Sequence, residues 1–283
     1  MSARFSGRDV VPITEGMTWD AWAARWSAHL VAGGARPGTV ALRRYQIERC
    51  ARAIGGKPAA ASTEDLVDWL GSRGWDRATL RSYRSALRSF YRWGVESGHV
   101  SESPAERLPS PGVTPPQPRP TPEIIYQEAI ARADERVRLM LRLGAELGLR
   151  RAEVAAVHAR DVEPDLVGWT LRVNGKGGRV RYVPMPDDLA RAVVRRAEGG
   201  FLFPGDDGGH LSPRWVGTLV SRTLPAGWTM HTLRHRAASR WYSIDHDLVT
   251  TQQLLGHASL ATTQAYVRAP EDAKRRLVLR AAS

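Results

Sequence analysis

Arg150, Lys176, His231, Arg234, His257 and Tyr266 are scattered over the second half of a chain of 283 residues. By type they supply three fixed or switchable cations, two imidazoles and a phenol. Exchange of a phosphodiester through a protein–DNA ester, with no metal present, needs that inventory. Cations hold the phosphate oxygens, imidazoles move protons and the phenol oxygen attacks. Arginine suits the first task because its planar fork takes two phosphate oxygens at once and never loses its charge.

Each residue sits in a short motif. Leu147-Gly148-Leu149-Arg150-Arg151-Ala152-Glu153-Val154 reads as a helix opening after a glycine, with an acid one turn beyond Arg150. Arg151 competes with Arg150 for the phosphate role. His231-Thr232-Leu233-Arg234 places two candidates three residues apart, on one face of a helix. His231 and His235 have the spacing of two zinc ligands, but they lack the intervening Glu of a zincin and any nearby carboxylate or cysteine partner. His235 is therefore read as structural, with no metal and no other cofactor expected. Lys176 lies in Asn174-Gly175-Lys176-Gly177-Gly178, which is not a Walker A loop. The chain holds only three lysines, Lys57, Lys176 and Lys274, among 41 basic residues. A lysine kept where arginine dominates suits proton donation, which arginine does poorly near neutral pH.

Leu254-Leu255-Gly256-His257, followed nine residues after the histidine by Tyr266, completes a series. In order and type these segments resemble the motifs of the tyrosine recombinase, or phage integrase, family. The match covers most of residues 140–268. The resemblance implies that Arg150 and Arg234 hold the non-bridging oxygens and that Tyr266 forms a 3′-phosphotyrosyl ester. His231 and His257 assist, Lys176 protonates the leaving 5′ oxygen, and Glu153 orients Arg150. It further implies double-stranded DNA with core-type attachment sites as partner, a homo-tetramer in the synaptic complex, and integration or excision of a phage or mobile element. The family's alternatives are a type IB topoisomerase-like enzyme or a DNA-binding regulator without catalysis. About 17 residues precede the first helix, too few for an arm-binding domain, so a compact form is expected.

These residues need a framework. At 42% apolar and 25% charged residues the composition is globular, and the length suffices for two cores. No apolar run reaches membrane-spanning length and the N-terminus lacks a signal-peptide core, so a cytoplasmic protein of a bacterial host is expected. Cys50, the single cysteine, has no internal disulfide partner. A net charge of +12 and a pI of about 10.7 call for a polyanion, nucleic acid first.

The expected fold is mainly α with a small β-hairpin or sheet. After a short extension at 1–17, a helical core-DNA-binding, SAM-like domain covers 18–108. A proline-rich linker covers 109–121, and a mixed α/β catalytic domain with a helical tail covers 122–283. In the first domain Trp22, Trp26 and Leu30 mark one helix face. A second helix is expected from Thr39, Ser62 to Asp65 resembles a capping box, and a fourth helix runs from about Asp76 to Ser97. On that last helix Leu80, Tyr83, Leu87, Phe90 and Tyr91 form the apolar stripe. Arg77, Arg81, Arg84, Arg88 and Arg92 form a basic stripe about a quarter turn away. No acid interleaves within the helix, so DNA phosphates are its expected partner. In the second domain helices are expected at 122–133 and 134–147, followed by a hairpin of 169–173 with 179–184. The tail could dock in cis or on a neighbouring protomer.

Overall fold

The computed structural model describes residues 17–112, 118–175, 178–257, 263 and 279. The chain divides into two compact units, Met1–Thr114 and Pro115–Ser283.

The first unit is helical: α1 (Trp19–Ala32), α2 (Pro37–Ile54), α3 (Thr63–Gly71) and α4 (Arg77–Glu96). Its caps are local and explicit. Thr18 and Asp76 accept backbone N–H groups at the starts of α1 and α4. Ser62 and Asp65 bond reciprocally, the capping box expected for α3. Pro37 opens α2 two residues before the expected start, at a position where a missing N–H costs nothing. Aromatic rings fill the core. Trp22 and Trp26 are fully buried, and Trp19 stacks on Phe90 with centroids 5.9 Å apart. The apolar stripe of α4 faces inward at Tyr83, Leu87, Phe90 and Tyr91.

The second unit opens with α5 (Glu123–Arg132), α6 (Glu135–Ala145) and the short α7 (Arg151–Ala155). Strands β1 (Val162–Pro164), β2 (Trp169–Asn174) and β3 (Val180–Met185) form an antiparallel sheet in that order. Trp169 pairs with Met185 and Asn174 with Val180, the register of the expected hairpin. The β1 strand was not foreseen; three residues carry too little alternation to reveal it. Then follow α8 (Asp187–Ala197), α9 (Pro213–Thr223), α10 (Met230–Asp245) and α11 (Leu248–Leu255). One apolar core runs from Tyr126 to Leu233 through α6, the inner sheet face, α8 and α9. Among the described residues no helix is long and apolar enough to cross a membrane.

Candidate active site

The second unit gathers Arg150, Glu153, His231, Arg234 and His257 from three helix ends. Arg150 caps the N-terminus of α7. Its backbone N–H and its Nη1 each donate to Glu153, both at 2.8 Å. Glu153 is buried one turn into α7 and serves more than Arg150. Arg181 of β3 donates to both carboxylate oxygens, at 3.0 and 2.8 Å. Arg234 Nη1 lies 3.8 Å from the same carboxylate. Burial alone would raise the Glu153 carboxyl, but hydrogen bonds and charge from Arg181, then from Arg150, bring it down to about 2.

Arg181 was missed by the sequence reading. The signal was there: β3 alternates, and Arg181 shares the inner face with the buried Val183 and Met185 while Val180 and Tyr182 point outward. An arginine on the core side of a strand needs a buried acid, and Glu153 is that acid.

The end of α11 holds the arginines from the other side. Gly256 adopts φ +63° and stops the helix there, leaving the last carbonyls without helical partners. Arg181 Nε donates to the Leu254 carbonyl at 2.8 Å, Arg234 Nη2 to that of Leu255 at 2.6 Å, and Arg150 Nη2 to that of Gly256 at 3.4 Å. Arg234 Nη1 also donates to the Gly148 carbonyl. The negative end of a helix dipole favours cations at this point. A side chain at 256 would be strained by the backbone, and its Cβ would come 3.0 Å from Arg181 Cδ.

The imidazoles differ in setting. His257 is buried, with Nε2 3.0 Å from Arg234 Nη2 and Nδ1 3.0 Å from the Thr263 hydroxyl. Arg234 can only donate, so Nε2 accepts and Nδ1 carries the proton. Burial, then the charges of Arg234, Arg150 and Arg181, push its pKa down to about 3. His231 sits in the first turn of α10, which Thr229 caps, with its ring edge-on to His235 at 4.6 Å. Burial, then Arg234 and Arg150, lowers its pKa too, so it is a neutral base near pH 7. No group of three metal-ligating side chains occurs among the described residues. His235 is buried in α10.

Arg150, Arg151, Arg214, Arg222, His231 and Arg234 line a groove of about 870 Å³. Lys176 and Tyr266 lie outside the described residues. Arg77, Arg81, Arg84, Arg88 and Arg92 are on α4 in the other unit. Arg84 Nε donates to the Leu108 carbonyl at 2.9 Å, and Arg88 pairs with Glu106. Arg92 is exposed.

Comparison with known proteins accords with this geometry. The tyrosine recombinase XerC of Xanthomonas campestris pv. campestris is 34% identical over 214 residues, covering 69% of this chain. The chain spans 65% of that relative's length. XerC of Methylobacterium nodulans is 33% identical over 273 residues, covering 85% of this chain and 78% of its own. In fold, the chain resembles a lambda integrase tetramer bound to a Holliday junction, with a TM-score of 0.73 at 20% identity over 91% of this chain and 80% of that one. The model of the phage integrase family matches residues 122–272, more than half of the chain and the whole of the cluster just described; the chain belongs to the phage integrase family.

Proposed function

We propose that the chain is a site-specific DNA recombinase that cuts and rejoins strands through a 3′-phosphotyrosyl ester on Tyr266. The observation that carries this is the convergence of Arg150, Arg234 and His231 on one groove, braced from behind by Glu153. The Tyr266 oxygen attacks the phosphorus while the bond from phosphorus to the 5′ oxygen breaks. His231, neutral and exposed to the groove, takes the phenol proton. Lys176 gives a proton to the departing 5′ oxygen. Arg150 presents its partly exposed guanidinium to the non-bridging oxygens, and Arg234 adds fixed charge from beneath. His257, with Nε2 turned to Arg234, holds that guanidinium in place. The 5′ hydroxyl of a second strand then reverses the attack, so the ester conserves the energy and neither nucleotide nor metal is consumed.

Three arginines facing one carboxylate leave an excess of two positive charges at the centre. A phosphodiester suits that excess. We further propose double-stranded DNA with core-type sites as the substrate, α4 as a DNA-facing helix, and a homo-tetramer as the working assembly. The last follows the tetramer described for lambda integrase.

Footprinting on candidate attachment sites identifies a target. A duplex nicked beside the cleavage point then tests the chemistry in the presence of chelator. Covalent trapping that is lost in Tyr266→Phe, with binding kept, supports the proposal. Binding without trapping assigns a regulator, and relaxation without exchange between two sites assigns a topoisomerase.

A further inference from the structure

Arg151 follows Arg150 at the first position of α7 but takes no part in the Glu153 cluster. Among the described residues it has neither a hydrogen-bond nor an ion-pair partner. Its side chain crosses to α9 and lies over Gly217. A Cβ at residue 217 would come 2.7 Å from Arg151 Cδ and 3.1 Å from its Nη1. No backbone reason calls for glycine there, because Gly217 is helical and is not among the positive-φ glycines. Glycine inside a helix costs roughly 1 kcal/mol relative to alanine. What it provides is room: a berth for the arginine stem that any larger residue would fill.

The berth directs the guanidinium into the groove shared with Arg150, His231 and Arg234. Arg214 and Arg222 enter the same groove from α9, and no carboxylate is among its lining residues. The Glu153 cluster already holds enough charge for one phosphodiester. Further cations on the α9 side, with no acid to meet them, match an anion that extends past the reacting phosphate.

We infer that Arg151, berthed on Gly217, seats a second DNA backbone phosphate, next to the one that Arg150 and His231 address. This rests on the strand-exchange reading for the identity of the anion. The seat acts on binding, and the chemistry remains with the Glu153 cluster.

The probe is a 30-base-pair duplex of arbitrary sequence, bound to the full chain over a range of salt concentrations, because non-specific binding is carried by phosphate contacts. Arg151→Gln should reduce the slope of log affinity against log salt by about 0.9, the value for one phosphate contact. Gly217→Ala should do the same by evicting the arginine. Alanine favours helix, so unfolding does not account for that loss. The double variant should lose no more than either single one. Arg160→Gln, in the turn before β1, should leave the slope unchanged. Unchanged slopes in both single variants, or additive losses in the double one, overturn the seat. If the slopes fall as expected while the intact chain traps no ester through Tyr266, the seat stands and the strand-exchange reading falls. If trapping occurs and the slopes do not move, the reverse holds.

Discussion

Glu153→Gln is the sharpest perturbation of the site. The carboxylate accepts four hydrogen bonds, two from Arg150 and two from Arg181, and lies 3.8 Å from Arg234. An amide keeps one oxygen. Its NH2 group only donates, so it faces N–H groups that only donate as well. At least one oxygen's worth of bonds is lost, and three guanidinium groups lose their shared counter-charge. Two of those, Arg181 and Arg234, have side chains only 9% and 1% exposed, so water does not replace the acid. Removing one partner of a buried pair costs about 3–5 kcal/mol. For a unit of this size that corresponds to a melting temperature lower by roughly 10 °C. Calorimetry at pH 7 reads the loss directly. The pH dependence supplies a second reading. The Glu153 carboxyl is held at about 2 against an ordinary 4.5, so its contribution is complete above pH 4.5 and disappears as pH falls through 2. The gap between parent and variant should therefore close over that window. A loss under about 1 kcal/mol at pH 7, or a gap that persists to pH 2, would falsify the reading of Glu153 as a shared anchor.

Other outcomes follow from the same contacts. His257 has a folded-state pKa of about 3 against 6.5 when unfolded, so stability should be full above pH 6.5 and decline toward pH 3. The slope reaches at most about 1.4 kcal/mol per pH unit, and His257→Gln should flatten it in acid titrations followed by urea unfolding. On α4, Arg81→Ala should reduce the salt slope of DNA binding by about 0.9, measured by anisotropy. Arg84→Ala should also lower stability, by about 1 kcal/mol, because Arg84 holds the Leu108 carbonyl. An unchanged slope in both variants removes α4 from the interface.

Much of this was legible because local rules and the fold agreed. The tryptophan spacing on α1, the Ser62–Asp65 box and the apolar stripe of α4 each appear as expected. Five of the clustered residues lie in the motif series itself. What stayed hidden was non-local. Counting acids within α4 left its arginines unpaired, but Glu106 and Leu108 lie beyond Gly98 and reach Arg88 and Arg84 from there. Arg181 is 28 residues from Glu153, and nothing in either neighbourhood announces the other. Only the alternation of β3 shows that Arg181 turns inward. The role of Glu153 grew accordingly, from one arginine's partner to a centre for three.

The Leu-Gly-His segment shows why a motif can be read correctly without its physics. As sequence it is a marker that precedes a tyrosine. In the fold its glycine cuts α11 short, and three successive carbonyls, Leu254, Leu255 and Gly256, come to face three arginines. A helix end normally leaves its last carbonyls to water or to capping groups. Here they become acceptors that tie β3, α7 and α10 to one point in the chain, and His257 adds an acceptor for Arg234 one residue later. Such acceptors carry no net charge. They satisfy the hydrogen-bonding needs of the guanidinium groups without cancelling the positive field, which further carboxylates would have done. A site that binds a phosphodiester, as proposed for this one, has to keep that field. One acid to hold the arginines together, and backbone carbonyls for the remainder, achieves it; three acids would give a more stable cluster with nothing left to offer a phosphate.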